Sequence, residues 1–242
     1  MKITKIRSYW IAALSILATV NTCTQSIIMR ACGKINRAWV DKALNKWVDR
    51  LLKLADVQWK VINPDAVAPQ KGKATIIMCN HASLYDIPLS FKAFPQHSLR
   101  MLAKKELSTI PILGKGMVSS EFPFVDRRNR TQAFKDLALA RELMESGIVI
   151  WVAPEGTRSE DGTLAAFKKG AFVMAIEAKA TIIPIGIRGA FNILPARTQQ
   201  FNLHQTAEIH IGKPIDASKY TQETKEDLIS TVHEAMKKLV EG

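Results

Sequence analysis

Apolar and polar positions along this chain change their period twice. Residues 9–20 are almost continuously apolar behind the basic start Lys2, Lys5 and Arg7; Asn21, Thr22, Thr24, Gln25 and Ser26 then interrupt the run before Ile27, Ile28 and Met29. A helix that spans a bilayer needs about 20 mainly apolar residues, and this run ends well short of that. The pattern predicts an uncleaved helix lying in one leaflet, with Tyr9 and Trp10 near the headgroups. A signal peptide would share the basic start and apolar core, but no convincing small-x-small cleavage site follows. Gly33 breaks the helix. Val40, Leu44, Trp47, Val48, Leu51, Leu52 and Ala55 then recur with a helical period and form one stripe, with Lys42, Lys46, Arg50 and Lys53 off it. Residues 1–56 therefore read as a two-helix, membrane-docking appendage.

From Val57 the pattern alternates between strand and helix. Strands are predicted at 59–61, 75–79, 99–103, 122–125, 148–153, 181–187 and 207–211. Helices are predicted over 87–94, 131–146, 168–179 and 223–240, with a brief one opening at Lys104 and curtailed by Pro111 and Gly114. The runs 75–79 and 148–153 carry no charged residue, as expected of strands buried on both faces. The predicted fold class is α/β: over 57–242, a single mixed, mostly parallel sheet flanked by helices, without repeats or a low-complexity linker.

Composition narrows the partners. The formal charge is +12, and residues 1–60 hold eleven Lys or Arg against three Asp. Most of the basic excess thus lies beside the most apolar segment, a combination that favours an anionic membrane surface over a nucleic-acid groove. No RNA-recognition, KH or zinc-finger pattern is present, so no nucleic-acid partner is expected. Cys23, Cys32 and Cys79 form no CxxC pair, which suits a reducing compartment, and the histidines show no metal-ligand spacing.

The polar chemistry gathers where strands end. Thr75 to Cys79 gives way to Asn80, His81, Ser83 and Asp86 within seven residues. On a regular helix, residues five apart point about 140° away from each other, so His81 and Asp86 cannot both sit on one. With Pro88 two residues on, Asp86 is expected as a helix N-cap and His81 in the strand-to-helix turn. The carboxylate could then reach one imidazole nitrogen, fix its tautomer and support the cation formed when the ring takes a proton. A histidine and an aspartate that merely shape a helix start would look the same in isolation.

Three further blocks accompany the pair: Phe122-Pro123-Phe124-Val125-Asp126-Arg127, Val152-Ala153-Pro154-Glu155-Gly156-Thr157-Arg158 and Ile182-Ile183-Pro184-Ile185. In this order, over roughly residues 57–215, they resemble the motifs of the glycerolipid acyltransferase superfamily. Val152-Ala153 departs from its pattern, which has an aromatic residue before Pro-Glu-Gly. The resemblance implies transfer of a fatty acyl group from acyl carrier protein or coenzyme A to the sn-2 hydroxyl of lysophosphatidic acid. The product would be phosphatidic acid, made at the cytoplasmic face of the inner membrane with no bound cofactor. It also implies catalysis by His81 and Asp86 and acceptor binding by Glu155, Gly156 and Arg158, with Arg127 and Lys104 nearby.

Physical reasoning adds roles and leaves alternatives open. His81 has the pKa range of a general base, and backbone N–H groups around Gly156 and Thr157 are candidate oxyanion donors. Ser83 or Cys79 could instead be a covalent nucleophile, although Ser83 lacks the Gly-x-Ser-x-Gly elbow. Another lyso-lipid, such as a lyso-ornithine lipid or lysophosphatidylglycerol, would suit the same blocks, and a non-catalytic membrane-binding protein would suit the charge. Lys105, Arg128 and Arg130 read as solvated surface charges.

Overall fold

The computed structural model describes residues 3–126 and 128–242. Two helices, α1 (Lys5–Ala31) and α2 (Arg37–Leu54), precede an alternating domain. Its strands are β1 (Val57–Ile62), β2 (Thr75–Cys79), β3 (Leu99–Met101), β4 (Ala103–Lys104), β5 (Phe124–Val125), β6 (Val149–Val152), β7 (Thr181–Arg188), β8 (Gln205–Ile211) and β9 (Ile215–Asp216). Its helices are α3 (Asp86–Ala93), α4 (Leu113–Ser119), α5 (Arg130–Glu145), α6 (Gly170–Glu177), α7 (Ala190–Ile193) and α8 (Lys225–Glu241).

The main sheet has the order β1-β8-β7-β2-β6-β3, with β9 also on β7. Strands β7, β2, β6 and β3 run parallel, while β8 and β9 meet β7 antiparallel. β4 and β5 form a separate parallel pair. The mixed, mostly parallel sheet expected from the sequence is therefore present.

Side chains alternate across the central strands. Ile77, Cys79, Val149 and Trp151 join the core under α2 and α3; Ile76, Met78, Ile150 and Val152 join the one under α5, α6 and α8. Both faces of β2 and β6 are thus covered, which is why these strands are apolar without alternation.

The first 56 residues differ from expectation in two ways. α1 ends at Ala31, next to the expected break at Gly33, but it carries the apolar run at 9–20 on through the polar stretch as one continuous helix. The hydroxyls of Thr19, Thr22, Thr24 and Ser26 donate to carbonyls four residues back, so they stay inside the helix instead of ending it. The resulting helix is long and apolar enough to cross a membrane, with 22% of its most apolar window buried. In α2, Val40, Leu44, Val48 and Leu52 are buried in the domain core, so its stripe faces protein, not lipid. The boundary at 56 marks a change of element type and not a gap in packing.

Helix α4 departs from the sequence expectation, in which Pro111 and Gly114 curtail the helix opening at Lys104; Gly114 and Gly116 instead lie inside α4. Both serve close approach: a Cβ on Gly114 would lie 2.0 Å from the Ser108 carbonyl oxygen, and one on Gly116 would lie 2.4 Å from Cys23 Cβ of α1. After Pro111 the chain passes through Ile112 at a φ of 64° and restarts as helix.

Candidate active site

Parallel register brings the polar blocks to one end of the sheet. Met78 on β2 pairs with Val152 on β6, so His81 and Glu155, each three residues further on, leave the sheet side by side. Met101 on β3 pairs with Trp151, which carries Lys104 toward the same edge. Asn80 fixes the exit from β2: its buried amide donates to the Ile187 carbonyl and accepts from the Ile187 N–H on β7, at 3.0 and 2.8 Å.

His81 and Asp86 meet as the spacing predicts. Nδ1 of the ring lies 3.0 Å from Asp86 Oδ2, and the histidine side chain is 16% exposed while the carboxylate is fully buried. The same oxygen accepts the Ala82 and Ser83 N–H groups, each at 2.7 Å. One detail of the expectation changes. Asp86 is the first residue of α3 and Tyr85 its cap, so the carboxylate turns back onto the 81–83 loop instead of capping its own helix. With Nδ1–H directed at an acceptor-only carboxylate, the lone pair of Nε2 is the basic position at the cleft. Trp151 meets the ring edge-on, with centroids 5.9 Å apart, and its Nε1–H donates to Ser90 Oγ.

Glu155 occupies a different place from an acceptor ligand. It is 2% exposed, and its two carboxylate oxygens accept the His81 N–H at 2.6 Å and the Ala165 N–H at 2.9 Å. Burial raises its pKa, while the Ala165 and His81 N–H groups pull it down. The Ser159 N–H donates to the His81 carbonyl at 2.7 Å. The loop after β6 therefore grips the His81 peptide from both sides.

His81, Lys104, Trp151, Gly156 and Arg158 line a cleft of about 470 Å³ whose other walls, including Leu84 and Phe122, are mostly apolar. Lys104 ends β4 and is exposed, whereas Arg158 is half-buried. Gly156 turns the loop at a φ of 77°, and its N–H donates to the Ala153 carbonyl at 3.0 Å. That bond draws the Gly156 N–H into the turn, away from the oxyanion role expected of it. Thr157 is exposed and lines a neighbouring cavity rather than the His81 cleft. Arg127, expected beside the acceptor, lies outside the described residues.

The two candidate nucleophiles are placed away from the cleft. Ser83 is fully buried with its hydroxyl donating to the Leu194 carbonyl at 2.8 Å. Cys79 is also fully buried, and burial pushes its thiol well above the ordinary range, so it carries no reactive thiolate. Lys105 pairs with Asp126 at 3.0 Å and Arg128 with Glu106 at 3.4 Å, as exposed surface charges do. The sequence marks Asn80 only as the residue that ends the apolar run, and gives Trp151 and Ser159 no place in the site. Trp151 carried the one available signal, an aromatic residue near the end of a fully apolar strand.

Comparison with known proteins agrees with this geometry. Residues 58–188 match the family model described as Acyltransferase. An uncharacterised acyltransferase of Schizosaccharomyces pombe is 34% identical over 217 residues, which cover 87% of this chain and 75% of the relative. A 1-acyl-sn-glycerol-3-phosphate acyltransferase of Haemophilus influenzae is 34% identical over 169 residues, covering 68% of each. The human 1-acyl-sn-glycerol-3-phosphate acyltransferase beta is 28% identical over 169 residues, and the match spans 60% of its length. Among solved structures, the 1-acyl-sn-glycerophosphate (LPA) acyltransferase PlsC of Thermotoga maritima superposes with a TM-score of 0.75 at 28% identity, covering 97% of this chain and 92% of that one.

Proposed function

The chain belongs to the acyltransferase family, and from that premise we propose that it esterifies the sn-2 hydroxyl of lysophosphatidic acid, taking a fatty acyl group from a thioester of acyl carrier protein or coenzyme A. The observation that carries this reading is the His81–Asp86 pair at the mouth of an apolar cleft that also holds Lys104 and Arg158.

In this reading, Nε2 of His81 takes the proton of the acceptor hydroxyl as the oxygen attacks the thioester carbonyl. Asp86 stabilises the imidazolium that forms, and the low exposure of the pair strengthens that interaction. The tetrahedral intermediate collapses by breaking the C–S bond, and the imidazolium returns the proton to the departing sulfur, giving ester and free thiol. Arg158 and Lys104 hold the acceptor's phosphate, with arginine offering a planar fork and lysine a point charge. Both acceptor and product are lipids, so a cleft bordered by α1 gives them a route that does not cross water. α1 exposes Tyr9, Trp10, Leu14, Ile16 and Leu17, and its outward face is proposed to enter the membrane.

The test is turnover of lysophosphatidic acid in detergent micelles with acyl-coenzyme A or acyl carrier protein thioesters. The wild-type chain is expected to form phosphatidic acid. His81→Ala is expected to lose activity by about 10²–10⁴-fold with an unchanged far-ultraviolet circular dichroism spectrum. Full activity in that variant would end the general-base reading.

A further inference from the structure

Beyond Ala153 a second cavity of about 540 Å³ adjoins the His81 cleft, and the two share Leu102, Ala153 and Gly156. Its floor is apolar, formed in part by the buried Val125, Leu137, Val152 and Ala171. Around it stand the exposed Arg128, Thr157 and Lys168. A greasy trough with a cationic, hydroxyl-bearing margin suits a long uncharged arm that ends in a phosphate.

We propose that this cavity seats the phosphopantetheine arm of the thioester donor. The proposal rests on the acyl-transfer reading above. Both substrates of that reaction carry phosphate, and the structure offers two basic openings that join at Ala153 and Gly156. Lys104 and Arg158 line the opening that holds His81, where the acceptor's hydroxyl must lie; Arg128 and Lys168 line the other. The arm's methylene and amide groups lie along the apolar floor, its phosphate meets Lys168 and Arg128, the arginine exchanging its exposed pair with Glu106 for the anion, and its sulfur passes the small Ala153 side chain to reach the cleft. Coenzyme A and acyl carrier protein present this same arm, so the seat serves either donor.

Gly170 supplies the test. It lines the cavity at the first position of α6, it lacks the left-handed φ that would strain a side chain, and a Cβ there would meet no atom within 4 Å. Gly170→Phe adds bulk to the cavity wall at a position that does not line the His81 cleft, and Lys168→Glu reverses charge at its margin. With either acyl-coenzyme A or acyl carrier protein thioester, both variants are expected to raise the donor KM by about tenfold. The KM for lysophosphatidic acid and the melting temperature should stay at wild-type values. An increase with one donor alone would assign the seat to that donor. A donor KM unmoved in both variants, or an acceptor KM that rises in its place, would overturn the assignment while leaving the acyl-transfer reading intact. A wild-type chain inactive with every thioester would remove that reading and the seat together.

Discussion

Asp86 holds His81 by its ring and Glu155 holds it by its peptide, and the two grips should fail in different ways. Because both Glu155 oxygens accept N–H groups, Glu155→Gln keeps one acceptor and turns an NH₂ toward a donor. The His81 peptide would shift, and a displacement near 1 Å costs about 10²-fold in a reaction that needs close alignment. The expected outcome is a kcat lowered by about 10- to 100-fold with the acceptor KM kept within about twofold, measured by steady-state kinetics on a folded variant. A large rise in acceptor KM at unchanged kcat would restore Glu155 as a ligand of the phosphate. The His81–Asp86 contact was legible in the sequence because the two lie five residues apart and a single turn decides their meeting. Glu155 was legible as part of the site but not in its role. Its orientation follows from the register of β2 against β6, a pairing across more than 70 residues that local spacing does not encode.

Among the elements, helices with a clear stripe and strands without polar residues were legible: α2, α5, α8, β2, β6 and β7 fall close to their predicted spans. Elements set by tertiary approach were not. α4 depends on two glycines that let it press against α1 and the turn before it; strands at 99–103 and 122–125 are predicted, but the split of the first into β3 and β4 and the separate pairing of β4 with β5 leave no trace in the period. Arg100 of β3 carries no signal in the sequence, although it pins several elements together. Its fully buried guanidinium donates to the Ser120 carbonyl at 2.6 Å and to Asp41 of α2 at 2.8 Å. Burial lowers the Arg100 pKa, and the Asp41 carboxylate opposes that shift most strongly. Ser120 also donates to Ser26 of α1, so the network ties both N-terminal helices to the sheet. Asp41→Ala would leave a buried cation without its closest counter-charge. Since the Asp41 side chain is 25% exposed, water relieves part of the penalty, and a loss of about 3 kcal/mol is expected from the urea midpoint. A loss well below 1 kcal/mol would show that solvent already reaches the guanidinium.

For the whole molecule, strand order was the part least accessible from sequence, because adjacency in β1-β8-β7-β2-β6-β3 rests on which buried runs pair and every such run looks alike. The relation of α1 to the domain follows from the fold and bears on the proposed contact with lipid. Ser8, Ile11, Ala18, Cys23 and Ser26 are buried along one side of α1, while Ile6, Tyr9, Trp10, Leu14, Ile16, Leu17 and Val20 are exposed on the other. At 100° per residue the exposed set spans an arc of about 160°. A helix held to protein along its length presents that arc sideways, so α1 should lie in the membrane surface despite a length sufficient to cross it. The basic excess of residues 1–60 would add attraction to anionic headgroups that salt weakens. Trp10 and Leu17 are 64% and 61% exposed, so replacing both with glutamate tests the proposed lipid contact without opening the core. Flotation with phosphatidylglycerol vesicles should recover the wild-type chain, less of it as salt rises, and should fail for the Trp10→Glu, Leu17→Glu variant. That variant should still acylate lysophosphatidic acid in detergent micelles but turn over vesicle-embedded acceptor poorly. A double variant that floats as well as the wild type would place the lipid contact elsewhere on the surface. Equal loss of turnover in micelles and vesicles would instead show that this face of α1 supports the cleft itself.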